Sequence, residues 1–379
     1  MIKIFDKSKC SGCHACAMAC PKSCISMERD DEGFLYPNVD LDRCIDCGLC
    51  ERACPIISKN IVSSDTKAYA AINKNEKIRL QSSSGGIFTA IAEQVIANGG
   101  VFFGAAFDEG FDVKHICVDN VEDLTKLRGS KYVQSTIGDT YKQVKSFLDN
   151  GTEVYFTGTP CQIEGLLKYL NKKYDNLLTS DLICHGVPSP KVWQEYLQSK
   201  SSSKVRSASF RNKSFGWGNY SVLISFEDTL EYKSLAKDDK YIKAFLSDLC
   251  LRHSCYNCVF KSKNRASDLT LADFWGINNV APELNDNKGT SLVLIHTENG
   301  KEMLERISSG LVIKAVDVDL ALLNNPSAVK SVEKSKKRNS FMQKIESENF
   351  DKLVEKYTKR TLLQKVKSKL KRTLKKVFK

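Results

Sequence analysis

Eight cysteines near the start of the chain carry the strongest chemical signal. Cys10, Cys13, Cys16 and Cys20 are followed by Pro21, and Cys44, Cys47, Cys50 and Cys54 by Pro55. Both runs read C-x2-C-x2-C-x3-C-P, a spacing that wraps three thiolates around one corner of an iron–sulfur cube and gives the fourth to a second cube. The expectation is two [4Fe-4S] centres with crossed ligation. Cys10, Cys13, Cys16 and Cys54 serve one; Cys44, Cys47, Cys50 and Cys20 serve the other. Zinc sites use C-x2-C pairs set farther apart. A disulfide framework suits secreted chains, and the N-terminus lacks the apolar run of a secretory leader. Cys24 lies outside the repeat and reads as a small core residue, and His14 as a surface or supporting group.

Four more cysteines come from three separate segments. Cys161 follows Pro160 at a strand-to-helix junction, where a helix N-terminus favours thiolate. Cys184 closes another strand, the usual edge for sites in α/β sheets. Cys255 and Cys258 form a C-x2-C pair. Together they suit a third [4Fe-4S] cluster; singly, Cys161 and Cys184 read equally well as buried structural thiols. Cys250 is a spare ligand, and Cys117 reads as core. A nucleophilic pair of Cys161 with His185 is the weaker alternative, because no Asp or Asn is visibly placed to orient the histidine. His115, His253 and His296 carry no motif.

Ser82-Ser83-Ser84-Gly85-Gly86 opens into an amphipathic helix from Ile87 to Ala97, the outline of an anion cradle. It is neither a Walker loop nor G-x-G-x-x-G. Arg128 and Lys131 could face the same anion or remain solvated.

The elements that must position these residues change character along the chain. Residues 1–58 read as a small α+β ferredoxin-like module and 58–67 as a polar linker. From Ala68, strands alternate with helices, which predicts an α/β region with a sheet parallel in part. Residues 67–160 and 161–325 are taken as its N- and C-terminal parts, and 326–379 as a helical basic tail. The chain has 379 residues, 15 cysteines and a formal net charge of +12. Ten Lys and Arg and no acid fall between Lys359 and Lys379, so the basic excess is local and argues against a general nucleic-acid binder. The cysteine usage and the N-terminus predict a cytoplasmic protein.

Ser-Ser-Gly-Gly at 83–86, Gly-Ser-Lys-Tyr at 129–132, Gly-Thr-Pro-Cys-Gln at 158–162, Ile-Cys-His-Gly at 183–186, Cys-Tyr-Asn-Cys at 255–258 and Ala-Asp-Phe-Trp-Gly at 272–276 resemble the coenzyme F420 hydrogenase/dehydrogenase beta-subunit family. The resemblance runs over roughly residues 67–325. It implies a two-part α/β catalytic region holding FAD beside a [4Fe-4S] cluster. Cys161, Cys184, Cys255 and Cys258 would be the ligands, and Ser84, Gly85, Gly86, Ser130 and Lys131 would line the flavin. Coenzyme F420, another small-molecule redox substrate or a redox protein would exchange electrons with it. The sequence looks most like members fused to a ferredoxin domain and met near bacterial surface-polysaccharide genes, which need not use the deazaflavin.

The expected function is therefore an iron–sulfur flavoprotein oxidoreductase; an electron-transfer subunit feeding a partner enzyme and a non-catalytic scaffold are the alternatives. Leu363, Val366, Leu370, Leu374, Val377 and Phe378 recur at helical spacing among lysines. That pattern predicts peripheral contact with an anionic membrane, a solvated tail being the other reading.

Overall fold

The computed structural model describes residues 1–59 and 65–359. The candidate amphipathic run from Leu363 to Phe378 and the middle of the linker lie outside the described residues.

The N-terminal module is built on a hairpin, β1 (Ile25–Arg29) and β2 (Leu35–Val39), with short helices Ala15–Met18 and Leu49–Arg52 inside the two cysteine runs. The larger region supplies β3 (Lys67–Asn73), β4 (Val101–Phe107), β5 (Val113–Val118), β6 (Val154–Thr157) and β7 (Leu177–Leu182). It continues with β8 (Val205–Asn212), β9 (Ser221–Phe226), β10 (Glu231–Leu235), β11 (Leu269–Asp273), β12 (Ser291–Ile295) and β13 (Leu311–Val316).

Eight of these strands form one mixed sheet in the order β13-β3-β12-β11-β7-β6-β4-β5. Four consecutive strands, β11, β7, β6 and β4, are mutually parallel. Strands covered on both faces need apolar side chains at nearly every position, and Val-Phe-Phe-Gly-Ala-Ala-Phe in β4 and Val-Tyr-Phe-Thr in β6 supply them. Helix Ile87–Ala97 buries Ile87, Ile91 and Val95 on one face of the sheet, against Phe102, Tyr155 and Val293. On the other face, Val144, Leu148, Ile163 and Leu166 from helices Thr140–Asp149 and Pro160–Leu170 meet Phe103 and Phe156.

The module joins this second face. Cys13, Ala15, Met18 and Ala53 belong to the same core. Gly165 makes the close approach possible, since a Cβ there would lie 3.0 Å from Cys13 Sγ. Two buried arginines fasten the seam. Arg252 donates to the carbonyls of Cys10 (2.7 Å) and Leu35 (2.9 Å) and lies over the Tyr36 ring. Arg338 donates to both carboxylate oxygens of Glu32, at 2.7 and 2.6 Å.

β8, β9 and β10 form a separate antiparallel sheet packed with helices Pro190–Gln198 and Lys240–Leu246. The segment after Pro326, expected as a tail, adds helices Arg338–Met342 and Phe350–Thr358 to this core. It buries Phe341, Met342, Phe350, Leu353 and Val354 there.

Candidate redox site

Within the module, Cys13 and Cys16 lie in electrostatic range of Cys10 and Cys54, and Cys20, Cys44, Cys47 and Cys50 line one small cavity with Cys24. The crossed ligation expected from the spacing would draw one cluster's ligands from each group. Burial pushes the Cys13 thiol up to about 12 and raises Cys16 and Cys54 as well. Ile2 N–H donates to Cys50 Sγ at 3.3 Å, the type of contact that tunes cluster potential. Cys24 is buried as expected, yet its sulfur sits 3.2 Å from Cys20 Sγ, at the edge of the ligand set. Cys47 is exposed. His14 is not a surface group: it is buried, and burial pushes its imidazole down to about 4.

Cys161, Cys184, Cys255 and Cys258 converge. All four line a cavity of about 60 Å³, together with Ser8, Lys9 and Ser11, which flank Cys10. The sheet explains the meeting. β6 and β7 are parallel neighbours, so the turns after them, carrying Cys161 and Cys184, emerge side by side at the carboxyl edge. Gly186 then lets the Cys255 segment close in, because a Cβ there would lie 2.8 Å from Leu251 Cδ1 and 3.2 Å from Cys255 Cβ. Val187 N–H donates to Cys255 Sγ at 3.4 Å.

The helix start does not make Cys161 acidic. Burial and the neighbouring thiols raise it well above the ordinary range, and burial pushes Cys184 up to about 12 and Cys255 to about 11. Thiols crowded this way become stable thiolates when cationic metal sits among them. Among the described residues, no three His, Cys, Asp or Glu side chains are close enough to hold a single metal ion. A cubane spreads its corners over four irons and takes a wider ring. Cys250 is fully buried in the apolar core with Tyr241 and lines neither cavity.

A larger cleft, about 480 Å³, opens along the same carboxyl edge. Ser84, Gly86, Arg128, Ser130 and Lys131 line it, as do Tyr132, Arg211, Tyr220 and Trp275. Its volume falls in the range of cofactor sites. The two cavities share Cys184, His185, Gly186 and Val187 as a common wall.

Several cleft residues have roles that sequence reading missed. Lys131 Nζ donates to the carbonyls of Lys126 and Leu127, both at 3.0 Å, and burial lowers it to about 7. Its ammonium caps a helix end rather than facing the cleft as a free cation. Gly85 N–H is taken by Ser291 Oγ at 2.9 Å, and a Cβ at Gly85 would lie 2.4 Å from the Ala71 carbonyl. Ser83 Oγ accepts from Ser130 N–H (2.7 Å) and Oγ (2.9 Å), tying the two cleft loops together. The first amides of helix Ile87–Ala97 lack partners within the helix and open beside Arg128, whose Nη1 donates to Gln81. His185 does have an orienting partner: Nε2 lies 2.8 Å from Asp248 Oδ1. Asp248 is 63 residues away, so no local pattern could disclose it.

Residues 68–140 and 151–321 match the families described as Coenzyme F420 hydrogenase/dehydrogenase, beta subunit N-term and C terminus, and residues 9–56 match the 4Fe-4S dicluster domain. A Coenzyme F420-dependent sulfite reductase from Methanocaldococcus jannaschii is 29% identical over 202 residues, covering 52% of this chain and 30% of that protein. An uncharacterized protein of the same organism is 24% identical over 387 residues, covering 89% of this chain and 96% of its own length. A chain of the F420-reducing [NiFe] hydrogenase complex from Methanosarcina barkeri is 16% identical with a TM-score of 0.47, covering 75% of this chain and 93% of that one.

Proposed function

The chain belongs to the coenzyme F420 hydrogenase/dehydrogenase beta-subunit family and carries a 4Fe-4S dicluster module; on that premise we propose that it is an iron–sulfur flavoprotein oxidoreductase. The observation that carries the reading is the wall Cys184–Val187, shared by a four-cysteine cavity and a cofactor-sized cleft. Cys161, Cys184, Cys255 and Cys258 would hold the third [4Fe-4S] cluster. Gly86, Arg128 and Ser130 would meet the FAD, while Ser84, Gly85 and Lys131 hold the loops in place. When bound, the clusters carry single electrons and the flavin exchanges them in pairs.

The chain's own residues set the order of the sites. Cys47 is exposed, as are Leu41 (61% exposed) and Ile45 (58%) just before it in the chain, which suits an outer end where a redox protein docks. Ser8, Lys9 and Ser11, the chain neighbours of Cys10, bring the module to the wall of the four-cysteine cavity. His185, fixed by Asp248, faces both cavities and can hold or pass a proton at Nδ1. The substrate class proposed for the cleft is a deazaflavin such as coenzyme F420 or another organic redox molecule. Surface-polysaccharide assembly is the setting the resemblance implies.

The alternative of an electron-transfer subunit draws support from the sulfite reductase relative. The match spans 30% of its length, so most of that protein lies outside the shared part. No helix among the described residues is long and apolar enough to cross a membrane. The basic run after Lys359 supports peripheral contact with anionic lipid. Loss of liposome co-sedimentation on deleting residues 360–379 tests that contact.

Anaerobic purification followed by iron, sulfide and flavin quantification tests the main reading. About twelve irons and one flavin per chain, with viologen-linked dye reduction by the isolated chain, are expected. About eight irons and no flavin would replace it with the electron-transfer subunit.

A further inference from the structure

Any two-electron reaction in the cleft must also exchange protons with solvent, and a buried hydrogen-bonded line leads away from its floor. Asp181, at the end of β7, lines the cleft and is 3% exposed. Its register partner on β11 is Thr270, whose hydroxyl donates to Asp181 Oδ1 at 2.5 Å. Thr270 Oγ1 also lies 2.8 Å from His296 Nε2, just beyond β12. His296 Nδ1 lies 3.1 Å from Thr66 Oγ1, just before β3. Thr66 is half-buried, and its hydroxyl reaches the carbonyl of Lys263, an exposed residue, at 3.3 Å. The line thus crosses four adjacent strands. Thr270 is fully buried and His296 7% exposed, so the middle of the line is shielded from bulk solvent.

We propose that Asp181, Thr270 and His296 form a proton relay joining the cleft floor to the surface at Thr66. The inference rests on the redox reading of the cleft.

Every member can reverse its hydrogen bond. With Asp181 ionised, Thr66 O–H donates to Nδ1, Nε2–H to Thr270, and Thr270 O–H to the carboxylate. With Asp181 protonated, its O–H donates to Thr270, Thr270 O–H to Nε2, Nδ1–H to Thr66, and Thr66 O–H to the Lys263 carbonyl. Passing from the first to the second breaks one O–H or N–H bond and forms another at Thr66, His296 and Thr270, and adds one O–H bond at Asp181. The proton taken up at Thr66 in that step is balanced when Asp181 releases one to the cleft, with no electrons moved.

The relay needs a neutral imidazole, and burial pushes His296 down to about 3, with Arg265 adding to the shift. The charged and titratable groups facing Asp181 are Arg265, whose Nη1 lies 3.4 Å from Oδ2, and Glu164. Burial raises Asp181 above the ordinary carboxylate value, with Arg265, Thr270 and Ser267 opposing the shift.

A purely structural Asp181–Arg265 pair would leave the His296 tautomer indifferent to Asp181. The test uses the anaerobically purified full chain with ¹⁵N-labelled histidine, and follows Asp181 by its infrared carboxyl band. As falling pH protonates Asp181, the His296 proton moves from Nε2 to Nδ1 while the ring stays neutral. Thr270→Val abolishes that coupling, and Thr270→Ser restores it. In stopped flow with a pH-indicator dye, proton uptake on reduction slows about 10²-fold in Thr270→Val and recovers in Thr270→Ser. Thr66→Val, at the half-buried end, gives the same slowing should Thr270→Val fail to fold. A tautomer constant across the Asp181 titration overturns the relay, as do valine variants with wild-type uptake. Absence of flavin would instead remove the redox reading, and the tautomer measurement would still decide the relay.

Discussion

The dicluster module and the four-cysteine cavity hold their thiols by different means. In the module, nine cysteines lie from Cys10 to Cys54, and four of the six residues in its small apolar core are themselves cysteines: Cys16, Cys24, Cys50 and Cys54. In the larger region, Cys161, Cys184, Cys255 and Cys258 hang from the carboxyl edge of an eight-stranded sheet whose cores contain none of the four. The first site is a fold made by its ligands. The second is a set of thiols placed by a fold that stands without them. On the proposed reading, metal binding is coupled to folding in the first case and only to local order in the second.

Breaking a ligand on each side gives the largest contrast. Cys16→Ser should cost the module its compactness, read as rapid proteolysis within residues 1–59 while the larger region stays resistant. Cys255→Ser should leave both regions resistant and the urea midpoint close to that of the wild type. Equal proteolysis in the two variants would erase the distinction.

The seam between the regions comes next. Arg338 is fully buried against Glu32, so Glu32→Gln leaves a buried guanidinium without its carboxylate and should cost about 3–5 kcal/mol in urea unfolding. Burial opposes ionisation of Glu32, but His253 and Arg338 outweigh it and hold the carboxyl down to about 2. A depressed pKa stabilises the folded state above the unfolded value of about 4.3, and that stability drains as pH falls toward about 2. Unfolding followed over this window should show a shallower pH slope in Glu32→Gln than in the wild type.

Within the sheet-built site, Gly186→Ala pushes a methyl against Leu251 and Cys255. It should cost about 1–3 kcal/mol and lower iron occupancy of that site alone, seen by iron content and by unchanged module spectra. The smallest effect belongs to the cleft. Ser83→Ala removes the acceptor shared by Ser130 N–H and Oγ, should cost about 1 kcal/mol, and should weaken flavin retention about fivefold in equilibrium dialysis.

The same contrast explains what the sequence disclosed. Module cysteines are local, so spacing alone groups them and carries the expectation of crossed ligation. Alternating strands and helices made the α/β layering legible, because buried parallel strands such as β4 must be apolar throughout. The place of β3 between β12 and β13 was not legible, since antiparallel insertion leaves no trace in either strand's pattern. Residues 338–358 read as a polar tail because only one stripe of each short helix is apolar; Phe341, Phe350 and Leu353 find their core by tertiary contact. Lys131 and Arg128 looked alike as free cations, yet carbonyl capping takes the first and leaves the second at the cleft. The partners of His185 and His296 lie far off in sequence or across strands whose order the residues do not reveal.

Cys161, Cys184, Cys255 and Cys258 are proposed to hold a cluster of their own beside the cleft. Anaerobic iron quantification on Cys161→Ser and Cys250→Ser tests that proposal most directly. A loss of about four irons is expected from the first variant, with the module's signals intact, and none from the second. Full iron in Cys161→Ser, or the deficit appearing in Cys250→Ser instead, would contradict it.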